Sequence, residues 1–283
     1  MFSLLRKGVI RWLQHKRPLP TTPLSDFERI RHELKPCDIV LVEGRSRVSE
    51  VIKLITQSSW SHAALYIGRM HDIENPLLKD MLRKHYIGTA DKQLIIESEL
   101  GTGTVVRALT QYEKEHLRIC RPRNLGFHDS QQVIAYAIGR LGTAYDVRQI
   151  FDLARFLFPW WILPRRWRSS LFKTNPGHNT HTVCSTMIAE AFGSIHFPIL
   201  PLVKKLEGDR YRLYMRNPKL CTPSDFDYSP YFDIIKYPFL DFQQYADQRM
   251  ALWTGAGAGE LSEKEQDMYV SVDEIAAPQV DEA

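Results

Sequence analysis

The sequence predicts an α+β fold in which an antiparallel sheet of about five strands packs against helices. Short β-type segments separated by turn residues dominate residues 37–122, whereas the apolar residues after Pro122 recur at helical spacing. Strands followed by helices are typical of α+β domains, in which the helices cover one face of the sheet. An apolar fraction of 44% is sufficient for a core that needs no disulfide bonds.

Each element has its own pattern in the sequence. Five segments carry the strand pattern, and their short spacing predicts antiparallel neighbours; they are residues 38–42, 62–67, 93–97, 104–107 and 117–120. Apolar residues at helical spacing predict four helices, over residues 48–56, 129–141, 147–158 and 182–192.

Composition divides the chain into three regions. Residues 1–23 predict an amphipathic helix and a proline-rich linker, and residues 255–283 predict a disordered acidic tail. Between them, residues 24–254 form the predicted main domain, with an aromatic and basic helical insert at about 147–175.

The net charge of +4 conceals an asymmetry. Residues 260–283 contain eight acidic residues and one lysine, so the remaining residues carry about +11. A basic body predicts an anionic partner, and because no zinc-finger or aromatic RNA-binding motif is present, we expect a membrane surface rather than nucleic acid. Residues 1–17, which are amphipathic and basic, and the aromatic residues 156–163 both suit a lipid interface. The alternatives are a first helix packed on its own domain and a buried helical hairpin.

The cysteines bear on the cellular compartment. They are far apart and form no CxxC pair, which disfavours a zinc ribbon or a thioredoxin-type redox centre; they are Cys37, Cys120, Cys184 and Cys221. A reducing compartment is therefore expected. Residues 1–17 also lack the apolar block of a secretory signal. We expect a cytoplasmic protein that can lie at the membrane surface; no cofactor is expected, and the oligomeric state stays open.

Cys184 is the candidate nucleophile. Thr180 or Thr182 can cap the helix that follows, which places Cys184 in the first turn. The helix dipole there favours an anion, and a thiolate is the attacking form of cysteine. The alternative is a buried structural cysteine, which is the role expected for Cys37, Cys120 and Cys221.

Three further residues complete the candidate site. His62 opens an apolar strand and can take the thiol proton. Glu97 ends another apolar strand, where a buried carboxylate needs a partner such as a histidine; the alternative is an exposed strand end, and Glu99 is the second candidate. Tyr145 follows Gly142, a predicted helix C-cap, and is either an oxyanion donor or a packed aromatic residue.

Together these segments resemble the permuted NlpC-type papain-like hydrolases, in the YiiX-like branch, with lecithin retinol acyltransferase as a more distant relative. The resemblance spans roughly residues 34–232, and its diagnostic feature is that the histidine strand precedes the acidic strand and the cysteine helix. It rests on CDIVLV (37–42), WSHAALYIG (60–68), IIES (95–98), GTAYD (142–146), VCS (183–185) and TPSDF (222–226). The resemblance implies a circularly permuted papain-like fold with Cys184 as nucleophile, His62 as base, Glu97 as third polar residue and Tyr145 beside the site.

The predicted function is that of a cysteine-dependent hydrolase or acyltransferase. It would act on an amide, ester or thioester, of a peptide or a lipid, through an acyl-enzyme intermediate. A non-catalytic membrane-associated binding module on the same fold is the alternative. A metal site built from Cys184, His62, His178 and His181 is a third hypothesis, although this spacing matches no zinc pattern.

Overall fold

A computed structural model describes residues 11–18, 24–99, 101–143, 183–206 and 210–238. The chain divides into two compact units, residues 1–237 and 238–283, and every element named here lies in the first. The strands are β1 (Ile39–Glu43), β2 (His62–Arg69), β3 (Gln93–Glu99), β4 (Gly103–Ala108), β5 (His116–Pro122), β6 (Leu202–Lys205), β7 (Tyr211–Tyr214) and β8 (Phe232–Ile235). The helices are α1 (Phe27–Glu33), α2 (Arg47–Thr56), α3 (Pro76–His85), α4 (Phe127–Gly139), α5 (Val183–Ser194) and α6 (Pro223–Tyr228).

The main sheet has six antiparallel strands in the order β4-β3-β2-β1-β5-β8. The α+β fold class with an antiparallel sheet is therefore confirmed. All five predicted strands are present, and β8 pairs with β5 as a sixth strand that the sequence did not predict.

Both faces of this sheet are buried, because alternate side chains of each strand point to opposite faces. Leu41, Leu65 and Ile96 lie in one apolar cluster with residues of α4 and α5. Val40, Ala64 and Ile95 lie in a second cluster, together with Phe27 and Ile30 of α1. The expectation that helices cover a single face is thus incomplete, since the unpredicted α1 packs on the other side.

Local capping fixes the segment that leads into β2. Ser46 caps α2 by accepting a hydrogen bond from the backbone N–H of Ser49 at 3.1 Å. The helix ends where Gln57 adopts a left-handed conformation, with φ of 51°. The Gly44 N–H then donates to the Ser61 hydroxyl at 2.9 Å, which ties the residue before His62 to the end of β1.

A second, two-stranded sheet consists of β6 and β7. It is separate from the main sheet and is exposed along its full length. No helix among the described residues is long and apolar enough to cross a membrane.

Part of the N-terminal segment contacts the domain. Leu13 is fully buried, Arg47 lies over the Trp12 ring at 4.5 Å and Lys16 pairs with Glu115 at 3.4 Å. Several predicted segments lie outside the described residues, so the predictions made for them stay predictions: residues 1–10 of the first helix, the linker at 19–23, the helix at 147–158 with its aromatic insert, and the acidic tail.

Candidate active site

Two adjacent strands carry the histidine and the carboxylate to the same end of the sheet. His62 is the first residue of β2, and Glu97 lies near the end of β3. These strands run antiparallel, with Leu65 opposite Ile96, so the start of one lies beside the end of the other. The His62 Nε2 lies 2.5 Å from the Glu97 Oε2. The sheet therefore brings together an imidazole and a carboxylate that are separated by 35 positions in the chain.

Helix α5 brings the sulfur to this pair. Cys184 is its second residue, so the thiol lies at the positive end of the helix dipole. The helix packs on β2 and β3, with Met187, Ile188 and Phe192 in the same apolar cluster as Leu65. Cys184 itself is 5% exposed. A thiol in this position has little contact with bulk water.

His62 interacts with both partners at once. Burial on its own lowers the pKa of an imidazole, but the negative charge of Cys184, the hydrogen bond with that sulfur and the contact with Glu97 together raise the pKa of His62 to about 10. Because Nε2 faces Glu97, Nδ1 is the ring nitrogen left for the sulfur. The side chain is 20% exposed, so a substrate can approach the ring. The His62 imidazole is therefore protonated at neutral pH.

Glu97 has two further partners that the sequence did not reveal. Its carboxylate is 0% exposed and accepts hydrogen bonds from the Gln111 amide and from the Tyr112 hydroxyl, the latter at 2.5 Å. Burial alone would raise the pKa of Glu97, but His62, Tyr112 and Gln111 hold the pKa below its usual range. The Tyr112 ring also lies against His62, with 6.1 Å between ring centroids. Both residues belong to a short 3-10 turn after β4, a context that carries no recognisable signal.

Glu99, the second candidate for the carboxylate, is engaged elsewhere. It pairs with Arg107 at 2.9 Å on the neighbouring strand. Glu97 is therefore the carboxylate that contacts His62.

Tyr145 lies outside the described residues, and its proposed place beside the site stays a prediction. The preceding segment runs next to β4, since the Gly142 N–H donates to the Thr104 carbonyl at 2.9 Å.

The other three cysteines are packed in the apolar core. Cys37, Cys120 and Cys221 are buried, and burial raises the pKa of each thiol. A thiol of raised pKa carries little thiolate at neutral pH.

The metal-site hypothesis involves His178 and His181, which lie outside the described residues. Among the residues that are described, no cluster of His, Cys, Asp or Glu could hold a metal ion.

Comparison with known proteins agrees with this architecture. Residues 33–154 match the family model of the permuted papain-like amidase enzymes, YaeF/YiiX, C92 family. This match shows that residues 33–154 are similar to that family. The matched residues contain β1 to β5 and α4, and with them His62 and Glu97. The match ends before α5 and so does not include Cys184. The position of Cys184 beside His62 is known from the fold alone. No curated protein matches the chain.

The charge on Cys184 is the strongest of the influences that raise the pKa of His62, and this gives a testable prediction. We expect a titration of the His62 ring by NMR to give a pKa near 10 in the wild-type protein. In Cys184→Ala the pKa of His62 should fall by about one unit or more. Glu97 is then the only one of the two partners that still raises this pKa, whereas burial still lowers it. Cys120→Ala, which removes a sulfur from the core, should leave the titration unchanged. A value that stays near 10 without the Cys184 sulfur would contradict this contribution of Cys184 to the pKa of His62.

Proposed function

We propose that the protein is a cysteine-dependent amide hydrolase, with Cys184 as nucleophile, His62 as general base and acid, and Glu97 as the residue that orients the imidazole. The observation that carries this proposal is that one imidazole contacts a helix-terminal thiol on one side and a buried carboxylate on the other. The match of residues 33–154 to a family of papain-like amidases supports it.

The chemistry follows from the positions of these groups. The Cys184 sulfur attacks the carbonyl carbon, and the oxygen becomes an oxyanion near the start of α5, where the helix dipole stabilises negative charge. The His62 imidazolium then gives its proton to the leaving nitrogen as the C–N bond breaks, which leaves a thioester on Cys184. His62 next takes a proton from water, and the resulting attack releases the acid and the thiol.

The same intermediate permits a finer proposal. If an alcohol or amine replaces water in the second step, the enzyme transfers the acyl group instead of hydrolysing it. Ester and thioester substrates use the same thiolate attack, so a peptide or a lipid acyl group is chemically accessible. Analysis of the products formed from one acyl donor, with and without an added acceptor, distinguishes transfer from hydrolysis.

Thiol labelling tests the site without any knowledge of the substrate. We expect iodoacetamide at pH 7 to alkylate Cys184 before Cys37, Cys120 or Cys221, as mapped by peptide mass spectrometry. His62→Ala should slow the reaction at Cys184 by about tenfold or more, because the thiolate loses its imidazolium partner. The control is His128→Ala, which removes an exposed histidine on α4.

Two outcomes would decide against this function. Equal labelling of Cys184 in the wild type and in His62→Ala would show that the imidazole does not activate the thiol. An unreactive Cys184 in the wild type would favour the alternative of a binding module on the same fold.

A further inference from the structure

The hairpin formed by β6 and β7 exposes both of its faces to solvent. Every residue of the two strands is exposed, although five of the eight are large apolar or aromatic side chains. The apolar and aromatic side chains are between 42% and 61% exposed; they are Leu202, Val203, Tyr211, Leu213 and Tyr214. This hairpin therefore lacks the apolar cover that strands usually have. Such cover matters because an isolated two-stranded hairpin is at best marginally stable in water.

The charges of the hairpin point to an anionic partner. Lys204 lies directly opposite Arg212 in the strand register. Like charges in this position destabilise a hairpin. Within the part of the chain that the structure describes, neither these two side chains nor Lys205 has an acidic partner. A negative surface over the hairpin would remove the repulsion.

Each face of the hairpin combines apolar and basic side chains. Leu202 and Tyr214 are cross-strand partners, and Lys204 with Arg212 follows on the same face. The opposite face carries Val203, Leu213 and Tyr211 together with Lys205. Tyrosine, aliphatic and basic residues in such proximity suit the boundary between lipid headgroups and acyl chains. A purely polar anion would leave the exposed apolar side chains uncovered.

We propose that the β6–β7 hairpin docks the protein onto the surface of an anionic lipid bilayer. The apolar and aromatic side chains enter the headgroup–acyl boundary, and Lys204, Lys205 and Arg212 meet the acidic headgroups. The hairpin follows α5 by a short connection, and the turn at Pro218–Leu220 that comes after it packs on α5. Docking would therefore hold the helix of Cys184 close to the lipid. The proposal goes beyond the proposed function and does not depend on it.

Co-sedimentation of the full chain with lipid vesicles tests the charge contribution. We expect binding to phosphatidylserine-containing vesicles and much weaker binding to phosphatidylcholine alone. Because each basic residue near such a surface contributes about fivefold in affinity, Lys204→Glu/Lys205→Glu should weaken binding by about 25-fold or more. This variant also replaces a like-charged pair by an opposite pair, so the hairpin itself is not destabilised. Lys84→Glu/Lys92→Glu changes the charge equally at exposed positions elsewhere and is the control.

A second variant tests the apolar contribution. Leu213→Ser should lower vesicle affinity severalfold and leave the salt dependence of binding unchanged, because no charge is lost. Equal binding of the hairpin and control variants, or equal affinity for both kinds of vesicle, would overturn the proposal.

Two other occupants of the hairpin are outcomes of the same measurements. A molar mass of a dimer in light scattering, lost in Lys204→Glu/Lys205→Glu while vesicle binding persists, would assign the hairpin to a second copy of the chain. Zero-length carbodiimide crosslinks from Lys204 or Lys205 to residues 255–283 within a monomer would assign it to the acidic tail. Either result overturns lipid docking, whereas loss of catalysis in Cys184→Ala leaves it untouched.

Discussion

Replacing Cys184 by alanine is expected to lower the kcat for amide or ester hydrolysis by about 10⁴-fold or more. The reason is that no other described cysteine can take its place, since burial raises the pKa of Cys37, Cys120 and Cys221. The measurement uses a panel of p-nitroanilides and p-nitrophenyl esters, with the best wild-type substrate carried forward. Incubation with p-nitrophenyl acetate should leave one acetyl group on the Cys184 peptide of the wild type.

The matched control for this prediction is Cys120→Ala. Both substitutions remove one buried sulfur, and Cys120 lies in the core on β5, where its strand partners are Ile39 and Ile234. Cys120→Ala should therefore lose some stability and keep its kcat within a few-fold of the wild type. Full activity of Cys184→Ala, or acetylation at another residue, would refute the assignment of the nucleophile.

Much of the site could be predicted from the sequence, because its residues end or begin strongly patterned elements. His62 opens an apolar strand and Glu97 closes another, so any antiparallel pairing of these strands brings the two side chains to one end of the sheet. Cys184 begins a helix whose apolar residues must pack on that sheet. The order of the three elements was the remaining clue, and the family match of residues 33–154 confirms the resemblance that it suggested.

The residues that escaped prediction are those whose roles depend on the tertiary fold. Gln111 and Tyr112 belong to a turn between strands, and nothing local indicates that their side chains reach a carboxylate 14 and 15 positions away. Helix α1 has only 7 residues, too few for a clear period, and is fixed by the Asp26 cap and by contacts such as Ile30 in the second cluster. Strand β8 has 4 residues and exists because β5 offers it an edge.

Glu97→Ala should be among the most destabilising single substitutions in this protein. It would leave the His62 ring nitrogen, the Gln111 amide and the Tyr112 hydroxyl without their shared acceptor, at a position where the carboxylate is fully buried. Removal of one member of a buried, hydrogen-bonded charge pair costs about 3–5 kcal/mol. Urea unfolding should show this loss in the free energy of unfolding at an unchanged m-value. Glu99→Ala, which breaks a partly exposed pair, is the control and should cost about 1 kcal/mol or less.

Glu97→Gln separates the charge of this residue from its shape. The Gln111 amide can reverse to present its oxygen to the new NH₂ group, so most of the hydrogen bonding survives. The negative charge is lost, and the contribution of that charge to stability depends on pH. Folding lowers the pKa of Glu97, so this residue stabilises the fold above pH 4.5, which is its ordinary pKa. Folding raises the pKa of His62, so that residue stabilises the fold below pH 6.5, which is its ordinary pKa.

The stability difference between the wild type and Glu97→Gln should therefore be fully present between pH 4.5 and 6.5. It should decline as the pH falls through the lowered pKa of Glu97, which is then protonated. It should also disappear as the pH rises through about 10, where His62 loses its proton. Unfolding midpoints measured across this range give the profile. A difference that does not change as the pH rises through about 10 would mean that His62 is already neutral beside Glu97, and the imidazolium that the proposed chemistry requires would not exist.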